Sequence, residues 1–91
     1  MYLGKRIKEL REQKELLQRQ LSAALEIDTP MYSKIERGER KAKREQVIKM
    51  AKLFEVEEEE LLTLWLAGQI HEVVKEEKVA QKAISFVSSK L

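Results

Sequence analysis

Very few residues in this chain can interrupt a helix. The 91 residues include three glycines and one proline, so long loops and tightly turned strands are disfavoured. Apolar residues instead recur three and four positions apart, as at Leu3, Ile7 and Leu10, which is the spacing of one buried helix face. The chain has no cysteine for disulfide bonds, so a domain of this length depends on one apolar core. The sequence therefore predicts a single all-α unit.

Gaps in the apolar pattern divide the chain into five or six helices. We expect a first helix over residues 2–14, a second from about residue 18, a third from 29 or 30 to about 37, and a fourth over 44–54. A fifth begins among the glutamates at 57–60, because carboxylates are favourable at the positive end of a helix. Residues 79–88 resume helical spacing, and the pattern allows either a continuation of the fifth helix or a sixth helix that folds back.

The third predicted helix has clear signals at both ends. Pro30 fits the first turn of a helix, where its missing N–H has no intrahelical partner. Asp28 or Thr29 can cap that turn, and Gly38 provides a left-handed exit. Because the second helix breaks off at Glu26-Ile27-Asp28, directly before this start, a short turn joins the second and third helices.

The predicted fifth helix is apolar on more than one face. At 3.6 residues per turn its apolar residues cover more than one side of the helix: Leu61, Leu62, Leu64, Trp65, Leu66, Ile70, Val73 and Val74. A helix with this pattern is expected to be buried on two sides.

Charge is distributed unevenly along the chain. Residues 1–54 carry 14 Lys and Arg against 8 Asp and Glu, whereas residues 55–91 carry 4 against 8. This asymmetry suggests contact with a polyanion on one side only. The densest basic cluster lies between residues 34 and 44, although such a cluster taken alone is more often a solvated surface.

Several functional classes find no support in the sequence. A single histidine, His71, without cysteine offers no transition-metal ligand set, and no glycine-rich phosphate loop for a cofactor is present. The adjacent glutamates at 58–60 and 76–77 have no nucleophile or oxyanion donor beside them, so we expect no enzyme activity. With neither a transmembrane run nor a signal peptide, the simplest interpretation is a soluble cytoplasmic protein that does not contact membranes.

Together the motifs in the first two thirds of the chain resemble one family. They are Leu10-Arg11-Glu12, Leu16-Leu17-Gln18-Arg19-Gln20-Leu21, Ile27, the segment Tyr32-Ser33-Lys34-Ile35-Glu36-Arg37-Gly38-Glu39-Arg40 and the run Ile48-Lys49-Met50-Ala51-Lys52-Leu53. This pattern resembles the lambda repressor and Cro helix-turn-helix family, also called Xre. The resemblance covers about residues 3–66 and implies a helix-turn-helix over residues 17–37 that binds double-stranded DNA.

The resemblance also implies which side chains contact DNA. The exposed side of the third helix would read bases through Thr29, Pro30, Met31 and Lys34. Lys34 can donate to guanine, Met31 can meet a thymine methyl and Thr29 can donate or accept, whereas Pro30 contributes shape only. Contacts to the DNA backbone would come from Gln18, Arg19, Ser33, Arg37, Arg40, Lys41, Lys43 and Arg44.

Three further implications concern stability. Arg11 and Glu36 match a family pair that forms a structural ion pair between the first and third helices. Glu26 and Glu55 occupy positions where the family usually has glycine, and a left-handed residue there costs a non-glycine roughly 1 kcal/mol or more. The usual capping Ser or Thr positions are occupied by Leu17, Lys43 and Glu57.

The resemblance assigns residues 1–68 to a lambda-repressor-like DNA-binding domain and leaves 69–91 as a C-terminal helical extension for dimerisation. We expect the dimer interface to contain Leu64, Trp65, Ile70, Val73, Val74, Ile84 and Val87. The expected function is sequence-specific transcriptional regulation, as a repressor that binds a palindromic operator as a homodimer. The alternative is an antitoxin-type interaction module whose C-terminal helices bind a partner protein, because an apolar helix pair suits either role.

Overall fold

The helices form where the apolar spacing predicts them. The computed structural model describes residues 2–91, and all regular structure in that part of the chain is helical. Its elements are α1 (Tyr2–Gln13), α2 (Gln18–Leu25), α3 (Thr29–Glu36), α4 (Arg44–Phe54), α5 (Glu58–Val74) and α6 (Ala80–Ser88). The predicted all-α class is confirmed, and the last segment is a separate sixth helix.

Residues of all five helices from α1 to α5 form the core. The largest side chains that are fully buried in it are Tyr32, Phe54, Ile7, Leu21 and Met50. Burying an apolar side chain of this size contributes about 1.5–3 kcal/mol, so these residues account for much of the driving force for folding. Because they come from four different helices, their burial also fixes the orientation of α3 relative to α1, α2 and α4.

At Gly4, α1 lies directly against the end of α3. A Cβ atom at this position would stand 2.3 Å from the carbonyl oxygen of Glu36 and 2.8 Å from that of Ile35. Both distances are far shorter than a van der Waals contact, so a larger residue would push the two helices apart. Glycine is therefore required where α1 supports α3.

Helix starts are capped in two ways. At α3 the Asp28 carboxylate accepts a hydrogen bond from the Met31 N–H at 2.7 Å, so Asp28 is the N-cap. The side chains of Leu17 and Lys43 have no acceptor to offer at the starts of α2 and α4. There the backbone N–H groups of Leu17 and Lys43 donate to Gln20 and Gln46, at 2.7 and 2.8 Å. Each glutamine thus supplies half of a capping box, which offsets part of the lost cap.

Three glutamates hold a backbone conformation that favours glycine. Glu26 and Glu55 follow α2 and α4 with φ of 58°, which is the left-handed geometry expected at both positions. Glu15, after α1, has φ of 56°, which the sequence pattern does not predict. Gly38 after α3 has φ of 75° and carries no such penalty. The three glutamates each cost the fold roughly 1 kcal/mol or more relative to glycine.

Within one chain, α5 is buried on one side only. Leu61 is its single fully buried residue, whereas Leu66, Ile70 and Val73 are 53%, 48% and 77% exposed. The expected burial on two sides is therefore not found in the isolated chain. The helix also runs without a break through residues 68 and 69, so the expected boundary between domain and extension lies inside a continuous element.

The last helix folds back after a turn at residues 75–79. Ile84 of α6 lines a shallow depression together with Tyr2 of α1 and Ile70 and Val74 of α5. Even so, α6 contains no buried residue. Its apolar side chains, among them Phe86 at 66% and Val87 at 55% exposure, lie at the surface.

Candidate nucleic-acid interface

Helices α2 and α3 pack against each other across a three-residue connection, residues 26–28. The hydroxyl groups of Ser22 and Thr29 lie 3.0 Å apart in a hydrogen bond that joins α2 to the first turn of α3. Tyr32 and Ile35 anchor the inner side of α3 in the core. The connection and these contacts fix the outer side of α3 relative to the rest of the protein.

On the outer side of α3 lie the residues expected to read bases. Pro30 and Lys34 are exposed, while Thr29 and Met31 are half-buried. The Thr29 hydroxyl is already bonded to Ser22, so its capacity to contact a base is reduced relative to a free hydroxyl. Lys34 is therefore the side chain on this face best placed to donate hydrogen bonds to a base edge.

A basic loop follows α3. We use this name for residues 37–43, which connect α3 to α4. The side chains of Arg37, Arg40, Lys41 and Lys43 in the loop and of Arg44 at the start of α4 are all exposed. Among residues 2–91, Arg40, Lys43 and Arg44 form no ion pair. Cations without an internal partner are available to phosphate groups.

Arg37 is engaged within the loop region. Its Nε donates to Glu39 at 2.8 Å, and it also contacts the Ser33 hydroxyl. Hydrogen bonding to Glu39 raises the pKa of Arg37 and lowers that of Glu39. Both side chains are more than half exposed, so a phosphate group could displace Glu39 at little cost.

Behind α3, Arg11 and Glu36 form a nearly buried ion pair. Arg11 Nε donates to Glu36 Oε2 at 2.6 Å and Nη2 to Oε1 at 3.2 Å, with 13% and 2% of the two side chains exposed. Arg11 Nη1 also donates to the Leu16 carbonyl at 2.9 Å. Burial alone would raise the pKa of Glu36, but the hydrogen bonds from Arg11, the adjacent Tyr32 hydroxyl and the hydrogen bond from Gln18 outweigh burial and lower it. The pair joins α1 to the end of α3.

Two more polar side chains lie beside this ion pair, and only the first of them, Gln18, forms a hydrogen bond to it. Gln18, expected to contact DNA from the start of α2, donates its Nε2 to Glu36 at 3.1 Å and so also supports the pair. The Tyr32 hydroxyl is buried near the Glu36 carboxylate but forms no hydrogen bond of acceptable geometry. Burial, and secondly the neighbouring Glu36 carboxylate, raise the pKa of Tyr32 above its ordinary value.

Arg19, which follows Gln18 in the sequence and is also expected to contact the DNA backbone, is exposed.

The residues expected at a dimer interface fall into two groups. Leu64 and Trp65 pack against the core of their own chain. The other five lie toward the far end of α5 and on α6 and are half-buried or exposed: Ile70, Val73, Val74, Ile84 and Val87.

One contact to the basic loop carries no sequence signal of its own. Trp65 Nε1 donates to the Ala42 carbonyl oxygen at 2.7 Å, and one turn later Gln69 Oε1 accepts from Lys41 Nζ at 3.2 Å. The spacing of Trp65 and Gln69 places both on one side of α5, but nothing in the sequence identifies a backbone carbonyl as a partner.

Other kinds of site are not seen in the described part of the chain. Residues 2–91 contain no group of three or more His, Cys, Asp or Glu side chains that could hold a metal ion. Over the same residues, no helix is both long and apolar enough to cross a membrane.

The geometry of α2, α3 and the basic loop defines a DNA-binding helix-turn-helix domain. A family model described as Helix-turn-helix matches residues 7–61, which is more than half of the chain. The protein belongs to the lambda repressor and Cro-like, or Xre, helix-turn-helix family, as the sequence motifs predict, and is a DNA-binding transcriptional regulator. Comparisons with curated proteins and with solved structures give no significant match.

Proposed function

We propose that the protein recognises a specific, two-fold symmetric operator as a homodimer and represses transcription by occupying that operator in the cytoplasm. The observation that carries this proposal is the outer side of α3, where exposed Lys34 lies beside a basic loop with unpaired cations. A major groove admits one helix, and cations next to that helix can bind the phosphates that flank the groove.

Within this proposal, base discrimination comes from α3. Lys34 donates to guanine O6 and N7, and the half-buried Met31 contacts a thymine methyl. Thr29 and Pro30 lie in the first turn and contribute mainly to the fit of the helix end. Contacts to phosphates come from the basic loop, from Arg44, from Ser33 in α3 and, at the start of α2, from Gln18 and Arg19.

The homodimer is proposed from the uncovered apolar side chains of α5 and α6. Ile70, Val73, Ile84 and Val87 are 48%, 77%, 39% and 55% exposed. A nine-residue helix such as α6 is marginal in water unless its apolar side is covered, and a second copy covers the same patch on both chains. Residues 69–91 then serve as the dimerisation extension of domain 1–68. The two α3 helices need a separation of about 34 Å to enter successive major grooves.

Selection of the purified protein on random duplex DNA, near physiological salt and with non-specific competitor, tests the operator directly. We expect an enriched sequence with two-fold symmetry. Light scattering in the absence of DNA should give twice the mass of one chain. If the protein is folded and no DNA sequence is enriched, the protein does not recognise a specific operator, and that part of the proposal is wrong. A partner protein that copurifies in equal amount, with a monomeric mass for the free chain, would favour the antitoxin-type alternative.

Paired lysine and arginine variants separate base readout from phosphate contact. Lys34→Ala should relax base preference at one position of each half-site, whereas Arg40→Ala should weaken binding to all sequences alike and flatten the salt dependence. Lys52→Ala removes the same charge at an exposed position in the last turn of α4, at the opposite end of that helix from the basic loop, and serves as the control. Equal effects of all three variants would contradict the assigned contacts.

A further inference from the structure

The basic loop has few attachments of its own. The backbone of residues 40–42 forms no backbone–backbone hydrogen bond within the described chain. On the side facing α5 the loop borders an open groove of about 430 Å³, which Leu64, Trp65 and Gln69 line from α5. Ala42 is 2% exposed, so its burial attaches the loop to the core at this one residue. The hydrogen bond from Trp65 Nε1 to the Ala42 carbonyl oxygen, at 2.7 Å, holds the loop backbone in place at the same residue.

We propose that Trp65 is a positioning residue for DNA binding, which holds the basic loop from behind in the conformation that contacts phosphates. Gln69 assists from the next turn of α5, where its side-chain oxygen accepts from Lys41 and its amide nitrogen donates to the Trp65 carbonyl at 3.4 Å. The inference rests on the proposed contact between this loop and DNA, but on neither the operator symmetry nor the homodimer.

The physical reason is the conformational entropy of the loop. A loop that is ordered before binding loses less freedom when it meets DNA, and this saving appears as affinity. Phosphate contacts are independent of base sequence, so a better-positioned loop raises affinity for every duplex by the same factor. Removing the Trp65 hydrogen bond should therefore lower affinity and leave sequence preference unchanged.

Trp65→Phe tests the proposal because it keeps an aromatic ring against the core and removes the N–H donor. We expect the affinities for a selected duplex and for an unrelated duplex to fall together, by about three- to tenfold, which corresponds to the loss of one net hydrogen bond. Gln69→Ala should show a smaller change in the same direction. Thr63→Ala, at an exposed position of the same helix, is the matched control and should bind as the parent protein does.

Amide hydrogen exchange provides the readout that a purely structural role would not move. Trp65→Phe should accelerate exchange of the Lys43 amide, which shares a peptide group with the Ala42 carbonyl and is protected by its 2.8 Å hydrogen bond to Gln46, and leave the rest of α4 and α1 unchanged. Equal acceleration throughout α1 and α4 would mean that Trp65 only stabilises the fold, and would overturn the proposal. Unchanged loop exchange with unchanged affinity would overturn it as well. If the parent protein bound no duplex at all, the proposed function would fail, and the exchange measurement would still show whether Trp65 orders the loop.

Discussion

Replacing Glu36 by glutamine should destabilise the protein severely. The substitution keeps the size of the side chain but removes the charge opposite Arg11, of which 13% is exposed. Leaving one partner of a buried ion pair uncompensated costs about 3–5 kcal/mol. The total stability of a 91-residue domain is about 5–14 kcal/mol, so the variant should fold with a small margin. Each kcal/mol lowers the melting temperature of a domain this size by about 4–8 °C.

A second ion pair in the same molecule provides the control. Arg37 and Glu39 lie at a similar distance, 2.8 Å, but their side chains are 52% and 56% exposed. Glu39→Gln therefore removes the same charge where water and salt screen it, and we expect little change in stability. Urea denaturation near neutral pH, followed by circular dichroism, measures both variants. The reasoning fails if Glu36→Gln costs no more than Glu39→Gln.

A double-mutant cycle then separates the pair from its surroundings. Arg11→Met combined with Glu36→Leu removes both charges and retains apolar volume between α1 and α3. Because an apolar replacement of a buried pair is often neutral or stabilising, the double variant should be more stable than either Arg11→Met or Glu36→Leu alone. Additive losses would show that the two side chains contribute independently.

Three further outcomes follow from the arrangement of the helices and their ends. Glu55→Gly should stabilise the protein by about 1 kcal/mol, because glycine adopts φ of 58° without strain, whereas Glu59→Gly in the first turn of α5 should destabilise it, because glycine is a poor helix former and a favourable charge at the positive helix end is lost; thermal denaturation compares the two. Tyr32→Phe should leave stability unchanged or raise it, because the hydroxyl is buried without a hydrogen bond of acceptable geometry; a loss above about 1 kcal/mol in urea would show that it does bond to the neighbouring Glu36 carboxylate. The pKa of Glu36 is lowered from its ordinary value of 4.5, so the ionised carboxylate stabilises the fold fully above pH 4.5. This stabilisation is lost as the pH falls through the lower pKa of the folded state. Urea midpoints measured as a function of pH should show this loss in the parent protein and not in Glu36→Gln.

Much of the fold follows from local patterns that the sequence displays. Asp28 and Pro30 predict the start of α3 and Gly38 predicts its end, because each residue has a strong backbone preference. In contrast, Glu15 has a positive φ that no residue type announces. Local pattern also leaves the direction of the chain after α5 undetermined, because the charged residues at 75–78 suit a turn and an exposed helix equally well.

The interface is predictable only where side chains alone determine it. Lys34 and the cations of the basic loop stand out by residue type and spacing, so the sequence is sufficient to identify them. The position of Trp65 depends on where the Ala42 carbonyl lies after folding, and backbone groups are present at every residue. Apolar spacing indicates that Trp65 is covered, but not whether a second copy or its own chain covers it.

The left-handed glutamates have a consequence for how long the protein survives in a cell. With glycine at all three positions, the free energy of unfolding would be higher by roughly 3 kcal/mol or more. Glu15, Glu26 and Glu55 therefore raise the fraction of molecules that are unfolded. A ligand that binds only the folded state counteracts this by mass action, and DNA is such a ligand. Molecules on DNA should therefore resist proteolysis better than free ones, so we expect the excess pool to turn over faster than the bound pool.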